Sequence, residues 1–95
     1  MAAYLIADLD VKDAAGIANY RAKVGDTITK YGGRFVVRGG AQEVLEGDWR
    51  PTRLVLLEFP TMEALKRWYN SPEYRPLIAE RKAAAATDIV VVEGL

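Results

Sequence analysis

Apolar and polar positions alternate at the start of the chain. Leu5, Ala7, Leu9 and Val11 fall on one face of an extended segment, and Tyr4, Ile6, Asp8 and Asp10 fall on the other, the period-two signature of a β-strand. The period then changes. Ile17, Tyr20, Val24, Ile28 and Tyr31 recur at steps of 3, 4, 4 and 3, which marks the apolar stripe of an amphipathic helix. Asp13 is placed to cap its start, and Gly32-Gly33 supplies the left-handed conformation that ends it.

Arg34-Phe35-Val36-Val37-Arg38 reads as a second strand, interrupted at Gly39-Gly40 and expected to resume through Glu43-Val44-Leu45-Glu46. A turn from Gly47 to Thr52 leads into Arg53-Leu54-Val55-Leu56-Leu57-Glu58-Phe59. So continuous an apolar run fits a central strand covered on both faces. Thr61 caps a short helix whose Leu65, Trp68 and Tyr69 share one face, and Ser71-Pro72 breaks and restarts that helix. Pro76 is expected to make the next residues irregular before Leu77, Ile78 and Arg81 lead into the alanine run at 83–86. Thr87 to Glu93, with Ile89-Val90-Val91-Val92, is the last strand.

Strand, helix, strand, strand, helix, strand predicts one α+β domain over residues 1–95: a ferredoxin-like βαββαβ fold with an antiparallel four-stranded sheet and two helices on one face. The first, third and fourth strands carry apolar residues on both sides, whereas the helices suffice for only one. A second copy related by a two-fold axis would cover the other, so a homodimer is expected. Trp49, in an otherwise polar turn, is then expected at the rim of that contact.

Composition narrows the function. Thirteen basic side chains balance 13 acidic ones, which argues against a nucleic-acid binder or a module for anionic membranes. There is no cysteine and no histidine. Thiolate or imidazole nucleophiles and the usual zinc and haem ligand sets are thereby excluded. The longest charge-free stretches, Met1–Ala7 and Ala14–Tyr20, are seven residues each, too short for a membrane span or a signal-peptide core. A cytoplasmic protein without cofactor or metal is the expectation.

The chemistry that survives is carried by few residues. Asp8 and Asp10 on one strand face and Glu58 on the third strand are candidate general acid or base carboxylates, if one of them is desolvated. They can equally pair with Arg34, Arg38 or Arg53 on neighbouring strands. Asp8 and Asp10 alone offer too few ligands for a metal site. Trp68-Tyr69-Asn70-Ser71-Pro72-Glu73-Tyr74-Arg75 places three aromatics, a cap and a helix break within eight residues. Rings with polar tips suit the wall of a small-molecule cavity, although Trp68 and Tyr74 can also serve as ordinary core, with Ser71 acting as a cap only. Arg38, beside Gly39, is placed to reach a carboxylate ligand or to form a salt bridge. Arg38, Trp68, Tyr69, Ser71 and Tyr74 are thus the candidate ligand-binding residues, with a free hydroxyl of Tyr69 or Tyr74 expected to face the cavity.

The run Tyr31-Gly32-Gly33-Arg34-Phe35, Val37-Arg38-Gly39-Gly40, Leu45-Glu46-Gly47-Asp48-Trp49, Glu58-Phe59-Pro60 and Trp68 to Tyr74, with Arg81, resembles the domain-of-unknown-function 1330 (DUF1330) family of the dimeric α+β-barrel superfamily. The resemblance implies a ferredoxin-like protomer whose sheet pairs with a second one into a barrel. The wider superfamily includes cofactor-independent monooxygenases, muconolactone-type isomerases, dehalogenase-like and haem enzymes, and stress-associated proteins without an established reaction. Mechanisms that lean on a histidine do not transfer to this chain. The expected function is therefore a small-molecule-binding protein or cofactor-independent enzyme acting on a small metabolite; the alternative is a non-catalytic dimeric binding or interaction module.

Overall fold

The computed structural model describes residues 1–95. Its elements are β1 (Ala3–Val11), α1 (Ala18–Lys30), β2 (Arg34–Arg38), β3 (Leu54–Phe59), α2 (Met62–Tyr69), α3 (Arg75–Ala84) and β4 (Ala85–Glu93). The sheet has the order β2-β3-β1-β4 with every neighbouring pair antiparallel. This is the ferredoxin-like α+β arrangement, with β1 and β3 in the interior of the sheet.

Alternation in β1 settles which face is the core. Ala3, Leu5, Ala7 and Leu9 are buried, and their cross-strand partners Phe59, Leu57 and Val55 continue the same face. Val24 and Ile28 of α1, Leu65 and Trp68 of α2, and Leu77 of α3 pack with these residues into one cluster. The molecule is 17 Å across its shortest axis, the thickness of one helix layer on one sheet. No element lies over Ile6, Leu54 and Leu56 on the opposite face, all of them partly exposed, nor over the more exposed Val90 and Val92 of β4.

Local structure departs from expectation at six places. Asp13 Oδ1 accepts the Gly16 N–H at 3.0 Å, so it caps a leading turn and the helix proper begins only at Ala18. The strand expected over Glu43–Glu46 does not form. Residues 40–52 leave the sheet as a largely exposed arm whose limbs are bridged by Gln42 Nε2 donating to the Pro51 carbonyl, and the chain rejoins β1 at Arg53, whose carbonyl accepts the Leu9 N–H at 2.9 Å; with no strand beside it, Glu43–Glu46 has no ladder to join. The bulge lies not at Gly39-Gly40 but between Phe35 and Val37. Pro76 sits in the first turn of α3, where a missing N–H costs nothing. The broken segment makes α2 and α3 separate helices, giving three in place of two. Finally, the alanine run is divided: α3 ends at Ala84 and β4 starts at Ala85.

Candidate functional site

A cleft opens between the helix layer and the sheet. It is lined by 16 residues, 12 of them hydrophobic, drawn from all four strands and all three helices, with Arg53 just before β3 and Tyr74 at the start of α3. Its empty space is about 590 Å³ counting the open mouth, but the part a water-sized body can enter is about 50 Å³. The interior is therefore a narrow slot.

Its aromatic wall is rigid for identifiable reasons. Trp68 stacks on Tyr74 with ring centroids 4.0 Å apart. The Trp68 indole N–H donates to Thr27 Oγ1 at 3.0 Å, and that hydroxyl donates in turn to the Val24 carbonyl at 2.7 Å. Ser71, itself buried, accepts the Tyr74 N–H at 3.1 Å, so the cap in the helix break fixes where Tyr74 enters α3. Glu73, next to it, accepts from Lys30 Nζ at 2.5 Å and from the Tyr31 hydroxyl at 2.7 Å, tying the break to the end of α1. The Lys30 and Tyr31 hydrogen bonds hold the Glu73 carboxyl down at about 2.

The polar part of the slot is a cluster in which donors outnumber acceptors. Tyr74 Oη accepts from Arg81 Nη1 at 2.7 Å and shares a hydrogen with Tyr20 Oη at 2.8 Å. Burial pushes the Tyr74 phenol well above its ordinary range, and the Tyr20 oxygen adds to this, so Tyr74 stays protonated at neutral pH. Burial opposes the charge on Arg81, but the oxygens of Tyr74 and Tyr20 outweigh it and raise that pKa. Arg81 is 3% exposed, and its Nε has no hydrogen-bond partner.

Arg38 reaches the same slot through the β2 bulge. Phe35 pairs with Leu57 on the helix-covered face; after the extra residue Val36, Val37 pairs with Leu56 on the open face, and Arg38 returns to the covered face opposite Val55. A regular strand would have aimed Arg38 away from the slot. Its guanidinium lies 4.2 Å from the centroid of the Phe35 ring. Next along this edge, Gly39 has φ +68°, and a Cβ there would meet Arg53 Nε at 2.5 Å. Glycine thus leaves room for Arg53, whose buried Nε also lacks a partner.

Of the candidate ligand-binding residues, Arg38, Trp68 and Tyr74 line the slot together. Tyr69 does not; its ring lies beside those of Trp68 and Tyr74, at 6.1 and 5.9 Å, and its hydroxyl adds to the raising of the Arg81 pKa. Ser71 acts through its cap, and the Tyr74 hydroxyl, expected to be free, is engaged twice. The three candidate carboxylates lie elsewhere, on the open face. Asp8 Oδ1 accepts the N–H groups of Thr52 and Arg53 at 2.8 and 3.3 Å. Asp10 pairs with Lys12 at 2.7 Å. Glu58 accepts from the Tyr4 hydroxyl at 2.7 Å and from Arg34 Nε at 2.8 Å, and these bonds lower its pKa. Sequence reasoning passed over Tyr20, Arg53 and Arg81 as slot residues. The signal for Arg81 was present: at four residues past Leu77 it occupies the apolar stripe of α3, where a cation is out of place.

A family model described as "Domain of unknown function (DUF1330)" matches residues 2–95. The chain belongs to the DUF1330 family. Solved structures agree on the fold. A protein of unknown function from Rhodopseudomonas palustris superposes with a TM-score of 0.80 at 20% identity, covering 99% of this chain and 82% of that one. SnoaB, a cofactor-independent oxygenase from Streptomyces nogalater, gives 0.68 at 13% identity, covering 99% and 93%. Rv0793 from Mycobacterium tuberculosis gives 0.64 at 19% identity, covering 100% and 96%. At these identities the likeness between this DUF1330 chain and the solved structures is one of fold. No protein of curated function matches the sequence.

Proposed function

We propose that this DUF1330 protein binds a small metabolite in the slot between helices and sheet, as a homodimer of the dimeric α+β-barrel type and without a cofactor. The observation that carries the reading is the slot itself: an apolar cleft whose aromatic wall is locked by hydrogen bonds and whose polar groups converge on one region. Its likeness in fold to a protein described as a cofactor-independent oxygenase supports an enzyme reading. In that reading the chain's own contribution is to stabilise negative charge developing on a substrate oxygen through Tyr74, Tyr20 and Arg81. The placement of Asp8, Asp10 and Glu58 on the open face, each with partners, supports the second reading, a non-catalytic binding module.

Dimerisation is supported by the open face. Ile6, Leu54, Leu56, Val90 and Val92 form an apolar surface that the same face of a second copy would bury, and the exposure of Leu45 and Trp49 in the arm leaves both free to join such a contact. Native mass spectrometry of freshly purified protein tests both parts. The expected result is a dimer carrying a retained small molecule or taking one up from a metabolite library. A folded monomer at micromolar concentration overturns the dimer, and a dimer that takes up nothing overturns the binding function.

A further inference from the structure

The polar inventory of the slot restricts what can enter it. Its four arginines, Arg21, Arg38, Arg53 and Arg81, take part in none of the salt bridges of the protein, and no acidic side chain lines it. The two tyrosines do not redress this. Tyr74 Oη already accepts from Arg81, and the contact between Tyr74 and Tyr20 consumes one of their two hydroxyl hydrogens. One phenolic hydrogen is left over, as are the Nε–H groups of Arg81 and Arg53. The buried side-chain atoms of the slot left without any partner, Arg81 Nε and Arg53 Nε, are both donors.

For Arg81, the one arginine of the four that is fully buried, the surplus is costly. A guanidinium out of water without a counter-ion is among the least favourable arrangements a core can hold. The one group that resolves donors, charge and desolvation together is a compact oxyanion that only accepts hydrogen bonds, and a planar carboxylate matches the fork of an arginine. A neutral amide or alcohol would bring donors of its own and leave the charge uncompensated. The remainder of the slot is apolar and narrow, with Trp68 and Phe35 among its walls, which suits a flat hydrocarbon body.

Building on the slot-binding reading above, we infer that the ligand is an organic monoanion, an aromatic or similarly flat carboxylate, whose carboxylate meets Arg81 and the Tyr20–Tyr74 pair while its apolar body fills the slot.

Benzoate and its uncharged counterpart benzamide are suitable ligands for the test, followed by NMR titration of the full-length protein. The indole N–H of Trp68 reports the slot, and that of Trp49, in the exposed arm, is an internal control. Benzoate is expected to shift Trp68 and to bind at least about tenfold more tightly than benzamide, the weight of a charge-assisted hydrogen bond. Arg81→Met is expected to erase that preference. If it does not fold, Tyr20→Phe, at a half-buried position, is expected to weaken benzoate about threefold and leave benzamide unchanged. Equal binding of the two compounds at Trp68 overturns the monoanion and leaves the slot reading intact. A preference for benzoate that survives in whichever variants fold overturns the assignment to Arg81 and the tyrosine pair. Absence of any Trp68 shift with either compound at saturating concentration overturns the monoanion and the slot reading together.

Discussion

On the open face of the sheet, Asp8, Asp10 and Glu58 are each matched by an N–H, an ammonium or a hydroxyl and guanidinium pair at ordinary hydrogen-bond distance. On the helix-covered face, Arg81 is almost wholly buried with its Nε unused, and half-buried Arg53 at the edge also keeps a buried Nε without a partner. The contrast shows where to look for function. Charges that are exposed and paired cost little and say little, because solvent screens them and either partner can be lost at small expense. Donors that are buried and unpaired are expensive, and a fold retains them where something else completes them.

Substitutions that separate the two faces can be ranked. The largest effect is expected for Trp68→Ala, which removes the ring stacked on Tyr74 and orphans Thr27: about 3–5 kcal/mol of stability, read as a fall in melting temperature of roughly 15–25 °C. A small effect would show that the covered face is not the core. Next is Leu56→Asp on the open face. Placing a carboxylate in the proposed dimer contact should weaken association at least about a hundredfold, measured by sedimentation, while the monomer stays folded. A mutant that remains dimeric would make the open face a solvated one.

Tyr74→Phe comes third. The hydroxyl serves Arg81 and Tyr20 at once, so its loss leaves a buried Arg81 donor without a partner, and about 1–3 kcal/mol is expected by denaturant unfolding. Smaller again is the acid response of the helix break. Glu73 titrates at about 2 in the fold against an ordinary 4.5, so its ionised form is favoured by folding. The contribution is complete above the ordinary value and is lost as pH falls from 4.5 toward 2. Glu73→Gln should therefore lower stability at neutral pH and flatten its decline across that acid range in thermal scans. The smallest effect is expected for Asp8→Asn, Asp10→Asn and Glu58→Gln, which should each leave benzoate binding within about twofold of the parent protein, since none reaches the slot. A larger loss would tie the open face to the site.

Much of this was written in the chain. The period-two run of β1, the stripe of α1, the cap at Thr61 and the break at Ser71 act between residues close in sequence, so pattern suffices to place them. The aromatic wall was legible too, because Trp68 and Tyr74 flank a break that aims both rings at one space. The arm at 40–52 was not legible: Glu43–Glu46 has the composition of a strand, and whether it becomes one depends on a neighbour the sequence does not display.

By itself, then, the sequence determined the order of elements, the fold class and the apolar excess on both faces of the sheet, all consequences of local periodicity. Tertiary structure alone decided which charges meet. The three carboxylates share the open face because β1 and β3 are paired in register. Arg38 turns into the slot because one extra residue at Val36 shifts the face of everything after it. Arg81, 61 positions from Tyr20 in the chain, joins it across Tyr74 because α1 and α3 lie on the same side of the sheet. Hydrogen bonding and desolvation act over a few ångströms of space, without regard to distance along the chain. That is why the carboxylates stood out in the sequence while Arg53 and Arg81 did not, until the fold brought each to its neighbours.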